Sequence, residues 1–181
     1  MKKTILISII FGLQLACGPN KEESKSDSEP EIVEIRANTK LGDGVQSIQY
    51  ITNDSITNSW ITELTRITKS DNRFKVEKEL RPNRHWDYMD TIKTLTYNQS
   101  RLTVLSTEGY YGLWTADLKD PEIPLWTNVK IGMNKQQLEK IVRSEILSDK
   151  IEIGNTEKTT VFEFEFKEGL LARINIVGFV D

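Results

Sequence analysis

Phe162, Phe164 and Phe166 alternate with Glu163 and Glu165, and the run closes on Lys167-Glu168-Gly169 before a second apolar stretch at 170–177. Alternation with a period of two fits a strand that buries one face and wets the other. A turn followed by a second such run predicts a hairpin. Residues 150–153, with Gly154-Asn155 as the next turn, add a third strand, so the carboxyl-terminal part reads as a three-strand antiparallel meander. A one-residue slip would expose a whole apolar face. On that ground a three-residue loop at 167–169 is expected, with Gly169 at positive φ. It sets Phe164 opposite Ala172, Phe162 opposite Ile174 and Glu163 opposite Arg173, the last as a surface ion pair.

A helix precedes this meander. Asn134 followed by Gln137 makes a capping box, and Met133 and Leu138 occupy the two staple positions, so a helix should begin at Lys135. Leu138, Ile141, Val142 and Ile146 form its apolar stripe. The middle of the chain repeats the plan less regularly. Ile56, Trp60, Leu64 and Ile67 have helical spacing, although Thr57, Thr62, Thr65 and Thr68 lower helix propensity. Strands are expected at 74–80, 91–97, 102–106 and 110–118, with turns at Asn98-Gln99-Ser100 and Glu108-Gly109. The fold class that follows is α+β, with two helix-plus-antiparallel-meander units, 32–124 and 125–181, and helices packed on one face of the sheet.

The chain has 181 residues and one cysteine, Cys17, which ends the first apolar run. An intramolecular disulfide is therefore impossible, and a thiolate zinc site within one chain lacks its ligands. Met1-Lys2-Lys3 followed by a mostly apolar stretch from Ile5 to Ala16 follows the pattern of a signal peptide. The stretch is shorter than the roughly 20 residues a spanning helix needs. Leu13-Gln14-Leu15-Ala16-Cys17 resembles the lipobox of bacterial lipoproteins. That resemblance implies cleavage after residue 16 and lipidation of Cys17 with a diacylglyceryl group and an amide-linked acyl chain. Two or more acyl chains anchor stably, whereas one holds only marginally.

Residues 18–31 contain no large apolar side chain and are expected to be a solvated tether from lipidated Cys17 to a domain over 32–181. Lys21-Glu22-Glu23 resembles the export tag of surface lipoproteins in some Gram-negative bacteria, and it reads equally well as a charged linker. The expected location is the cell envelope, at the outer membrane, on its periplasmic or surface face. The formal charge is −3. Loss of residues 1–16 removes Lys2 and Lys3 and no acid, which leaves 22 basic against 27 acidic residues. A nucleic-acid partner is excluded on this balance, because no dense basic run is left to replace counterions.

The segment Val129-Lys130-Ile131-Gly132-Met133-Asn134-Lys135, with the helix after it and the Phe-rich hairpin around Lys167-Glu168-Gly169-Leu170, resembles a repeat known from small outer-membrane-assembly lipoproteins and from the β-lactamase-inhibitor-protein fold. The resemblance covers residues 125–180. It implies an α+β unit that acts through a binding surface and brings no catalytic residues.

His85 is the only histidine. With Asp87 or Asp90 it offers an acid–base pair or a weak metal site, while a polar loop ahead of a strand explains it as well. Neither a Gly-x-Ser-x-Gly elbow nor a phosphate-cradling glycine loop is present in the sequence. Glu163 and Glu165 could mimic a glycosidase carboxylate pair, but alternation makes them a solvated sheet face. Trp60 and Trp114 lie in apolar patterns and are expected in the core. Arg84, Trp86 and Tyr88 form a candidate partner-binding anchor. The expected function is a non-catalytic binding or scaffold module that meets another envelope protein through the exposed sheet face or the 81–90 loop and needs no cofactor. Inhibition of a secreted enzyme and a small hydrolase using His85 are the alternatives.

Overall fold

The computed structural model describes residues 33–36 (backbone only), 48–83, 85, 87–125 and 129–178. The signal-peptide and tether expectations, residues 1–16 and 17–31, lie outside the described residues.

Two asparagines start the two helices. Asn53 Oδ1 accepts the backbone N–H of Ile56 at 3.0 Å and opens α1 (Asp54–Ser70). Thr57, Trp60, Leu64, Ile67 and Thr68 are its buried stripe. Three of the four threonines that lower its propensity satisfy their hydroxyls on the helix backbone: Thr57 donates to the Asn53 carbonyl at 2.9 Å, Thr62 to that of Asn58 at 2.8 Å and Thr68 to that of Thr65 at 2.8 Å. Asn134 opens α2 (Lys135–Val142) with both bonds of a capping box, each 2.9 Å, exchanged with Gln137. Arg143 then adopts the left-handed conformation at φ 56° and stops the helix. Ile146 therefore lies beyond the helix, yet it is buried, with its N–H held by Glu139 Oε1 at 3.0 Å.

The strands are β1 (Val33–Arg36), β2 (Ile48–Thr52), β3 (Lys75–Pro82), β4 (Met89–Tyr97), β5 (Ser100–Ser106), β6 (Tyr111–Leu118), β7 (Lys150–Gly154), β8 (Thr160–Lys167) and β9 (Leu170–Gly178). They form one nine-stranded sheet in the order β1-β2-β7-β8-β9-β6-β5-β4-β3. Every neighbouring pair is antiparallel except β2 and β7, which run parallel. The fold is thus α+β with a mostly antiparallel sheet and, among the described residues, two helices.

The core follows a cross-strand row. Ile51, Ile153, Phe162, Ile176, Ala116, Leu102 and Leu95 are successive partners across β2, β7, β8, β9, β6, β5 and β4, and all are buried. Trp60 of α1 stands over this row. Its ring meets Phe162 edge-on at 5.0 Å between centroids and Phe164 at 5.6 Å. The row ends at β3, where Val76 faces Leu95 and is 46% exposed.

The hairpin register differs from the expected one. Lys167 pairs with Leu170 around a two-residue turn, Glu168-Gly169, with φ 53° and 78°. The ladder then shifts, so that Phe166 faces Leu171 and Glu165 faces Arg173, with Ala172 left over as a bulge. Phe164 consequently opposes Ile174 and Phe162 opposes Ile176, while Glu163 opposes Asn175 rather than Arg173. The demand for matching apolar faces holds; the extra residue sits in the strand, not in the loop. Trp114 is likewise the residue skipped where the β5–β6 ladder shifts. It is half-buried, in contrast to the core position expected for it.

Candidate functional site

Two surfaces carry the residues on which a function can be built. One is the loop between β3 and β4. The Asn83 N–H donates to the Tyr88 carbonyl at 3.0 Å, and the Asn83 side chain accepts from the His85 N–H at 2.8 Å, which folds the start of the loop into an Asx turn. Asn83 Nδ2 donates to Asp90 Oδ2 at 2.8 Å, and Asp90 Oδ1 is buried without a partner. His85 and Asp87 are exposed and Tyr88 is half-buried. Asp90 thus gives one carboxylate oxygen to Asn83 and keeps the other unbonded. Arg84 and Trp86, the other members of the expected partner-binding anchor, lie outside the described residues, as does Cys17. Among the described residues no group of three His, Cys, Asp or Glu side chains is placed to hold a metal ion.

The other surface is the sheet face turned away from α1. Strand alternation puts Lys150, Glu152, Glu163, Glu165, Arg173 and Asn175 there, beside Asp117 of β6. They line an open groove of about 210 Å³ whose walls include Ile48. Glu152 faces Glu163 directly across β7 and β8. Asn175 Nδ2 donates to Glu163 Oε2 at 2.7 Å, and Lys150 lies 3.9 Å from Glu165. Arg173 Nε donates to Asp117 Oδ1 at 2.6 Å, and Lys119 reaches the other oxygen at 3.0 Å.

Titration behaviour follows from these contacts. Burial pushes the Glu152 carboxyl above its ordinary range, and the Glu163 charge opposite adds to the rise. Burial also acts to raise Asp117, but the hydrogen bonds from Arg173 and Lys119 outweigh it and leave that carboxyl below its ordinary value. The pair Glu163 and Glu165 serves as a solvated, cross-bonded face, with each carboxylate engaged by Asn175 or Lys150. Sequence reasoning placed Arg173 against Glu163 and missed Asp117, because the junction of β9 with β6 joins segments far apart in the chain. It also missed Glu152, for which the alternation of 150–153 was an available signal.

Along this groove the charged and amide side chains offer ionic and hydrogen-bonding contacts. No family model, characterised protein or solved structure matches the chain.

Proposed function

We propose that this chain is a bacterial envelope lipoprotein, held at the outer membrane by acyl chains on Cys17, that works as a non-catalytic binding or scaffold module for another envelope protein. The observation that carries the reading is the sequence Leu13-Gln14-Leu15-Ala16-Cys17: the only thiol in the chain stands directly after a small residue at the end of a basic-then-apolar leader. A lone cysteine there has no partner to bridge with, and lipidation accounts for it.

In this reading residues 17–31 are a spacer, and the body is built of two helix-plus-meander units, 32–124 and 125–181, related to the lipoprotein repeat that 125–180 resembles. Support comes from the element order, in which α1 precedes the consecutive hairpins β3–β6 and α2 precedes β7–β9. It comes also from the packing of Trp60 on the Phe162 side of the sheet, which leaves the opposite face for a partner. Most charged groups of that face are tied to one another, as Arg173 is to Asp117 and Lys150 to Glu165, as suits a surface that recognises by charge and shape.

A fatty-acid analogue fed to cells expressing the wild-type chain or Cys17→Ala tests the anchor. Label on the wild type alone is expected; equal label on both proteins would overturn it. Crosslinking in intact cells, followed by capture of the chain, should then recover one envelope protein, and its loss on Glu163→Arg would assign the contact to the sheet face.

A further inference from the structure

One region of the sheet on the α1 side is bare. α1 meets β6, β7 and β8. Beyond them, on β3 and the start of β4, Val76 is 46%, Met89 50% and Leu80 64% exposed. Alternation from buried Leu95 puts Met89, Thr91 and Lys93 of β4 on that side, with Pro82, Leu80, Lys78 and Val76 as their neighbours and Leu95's on β3. Contacts around Tyr111 of β6 fix the same geometry. Lys93 Nζ lies 4.8 Å from the centre of its ring, Lys69 Nζ of α1 lies 4.6 Å from it, and its hydroxyl is 3.3 Å from Thr68 of α1.

The charge on this face is of one sign. Lys78 stands directly opposite Lys93, an arrangement of like charges that destabilises a ladder. Glu77 and Glu79 project from β3 to the other face, where they pair with Lys75 and Arg81. Among the described residues no carboxylate forms an ion pair with Lys69, Lys78 or Lys93. Three exposed apolar side chains of β3 and β4 thus stand among three ammonium groups without an ion-pair partner, Lys78 and Lys93 on the same two strands and Lys69 at the end of α1.

We propose that this face is a membrane-contact surface, with Val76, Leu80 and Met89 entering the headgroup region of an anionic leaflet while Lys69, Lys78 and Lys93 meet its phosphates. Surfaces that combine apolar side chains with lysines bind anionic bilayers through both terms. The reach of the tether, which rests on the lipid-anchor reading, is compatible. β3 and β1 are the two edges of the nine-stranded sheet, about 38 Å apart at the usual strand spacing. The chain from Cys17 to Val33 can span at most about 55 Å. Anchor and surface can therefore meet one bilayer together.

The test uses the full chain carrying Cys17→Ala, so that no result depends on lipidation. Met89→Cys is labelled with an environment-sensitive fluorophore, and Glu79→Cys, on the opposite face, is labelled as a second protein. Each is mixed with vesicles of phosphatidylglycerol and phosphatidylcholine, or of phosphatidylcholine alone. The Met89 probe should shift to the blue on the anionic vesicles only, and the Glu79 probe should not move. Lys78→Glu with Lys93→Glu should weaken the partition at least about 30-fold, at about fivefold for each lysine. No shift at position 89 on anionic vesicles, equal shifts at both positions, or partition unchanged by the charge reversals would each overturn the proposal. A negative fatty-acid labelling result would leave this one standing.

Discussion

Arg173 on β9 and Asp117 on β6 meet at 2.6 Å across the only ladder that joins β7–β9 to β3–β6 among the described residues. The pair is partly exposed, so solvent screens it, and its contribution is about 0.5–1 kcal/mol. Because Asp117 titrates below its ordinary 3.8, the unfolded chain binds that proton more tightly than the folded one. The stabilisation is therefore complete above about pH 4 and is lost as pH falls through the folded-state value. Urea unfolding of wild type and Asp117→Asn should show a gap of that size at pH 7 that closes in stronger acid. A gap that persists undiminished at pH 2 would remove the ion pair as its source.

Glu152 behaves in the opposite sense. Burial and the Glu163 charge raise its carboxyl, so the folded state binds the proton more tightly than the unfolded chain does. Stability from this group is present at low pH and declines as pH rises from 4.5 through the folded-state value. Glu152→Gln removes the cross-strand repulsion and should stabilise the domain by about 0.5 kcal/mol at neutral pH, with little gain in acid. Unfolding midpoints measured at pH 4 and pH 8 decide it. Equal gains at both would mean that electrostatics is not the cause.

How much of this was legible depended on whether the cause was local. The Asn134–Gln137 box, the Trp60 stripe and the Phe162–Phe166 alternation each specify structure within a few residues, and each is found where the sequence puts it. β2 gave no such signal. Gln49, Tyr50 and Ile51 are buried in succession, so both faces of the strand are covered and no alternation remains to be read. Gln49 is satisfied only by distant groups, donating to the Glu145 carbonyl at 2.6 Å and accepting from the Leu147 N–H at 2.8 Å. The bulge at Ala172 was invisible for a different reason. Period-two reasoning has no place for a skipped residue, and it moved the irregularity into the loop. The candidate binding face inherited both gaps, since Asp117 reaches Arg173 only through the β6–β9 junction.

Trp60 is the largest fully buried side chain among the described residues and the point where α1 touches Phe162 and Phe164 of β8. Trp60→Ala should cost about 3–5 kcal/mol, because the cavity it leaves is walled by sheet and helix that cannot close on it. Trp60→Phe keeps an aromatic edge against Phe162 and should cost markedly less. Denaturant midpoints with unchanged m-values check both. A loss below about 1 kcal/mol for the alanine variant would show that α1 is not seated on the sheet through this residue.

The Glu168-Gly169 turn stores a correctable strain. Both residues have positive φ, as a type I′ turn demands, but only glycine adopts that region without cost. Gly169 has open space where a Cβ would stand, so Gly169→Ala should destabilise through backbone conformation alone, by about 1 kcal/mol. Glu168→Asn, which makes the favoured Asn-Gly pair, should act the other way and add about 0.5–1 kcal/mol. Opposite signs from two exposed neighbours, read as shifts in thermal midpoint, would establish that the turn and the Ala172 bulge together set the register. Were Gly169→Ala neutral, the two-residue turn would be wrong, and a three-residue loop that leaves residue 169 at negative φ would have to replace it.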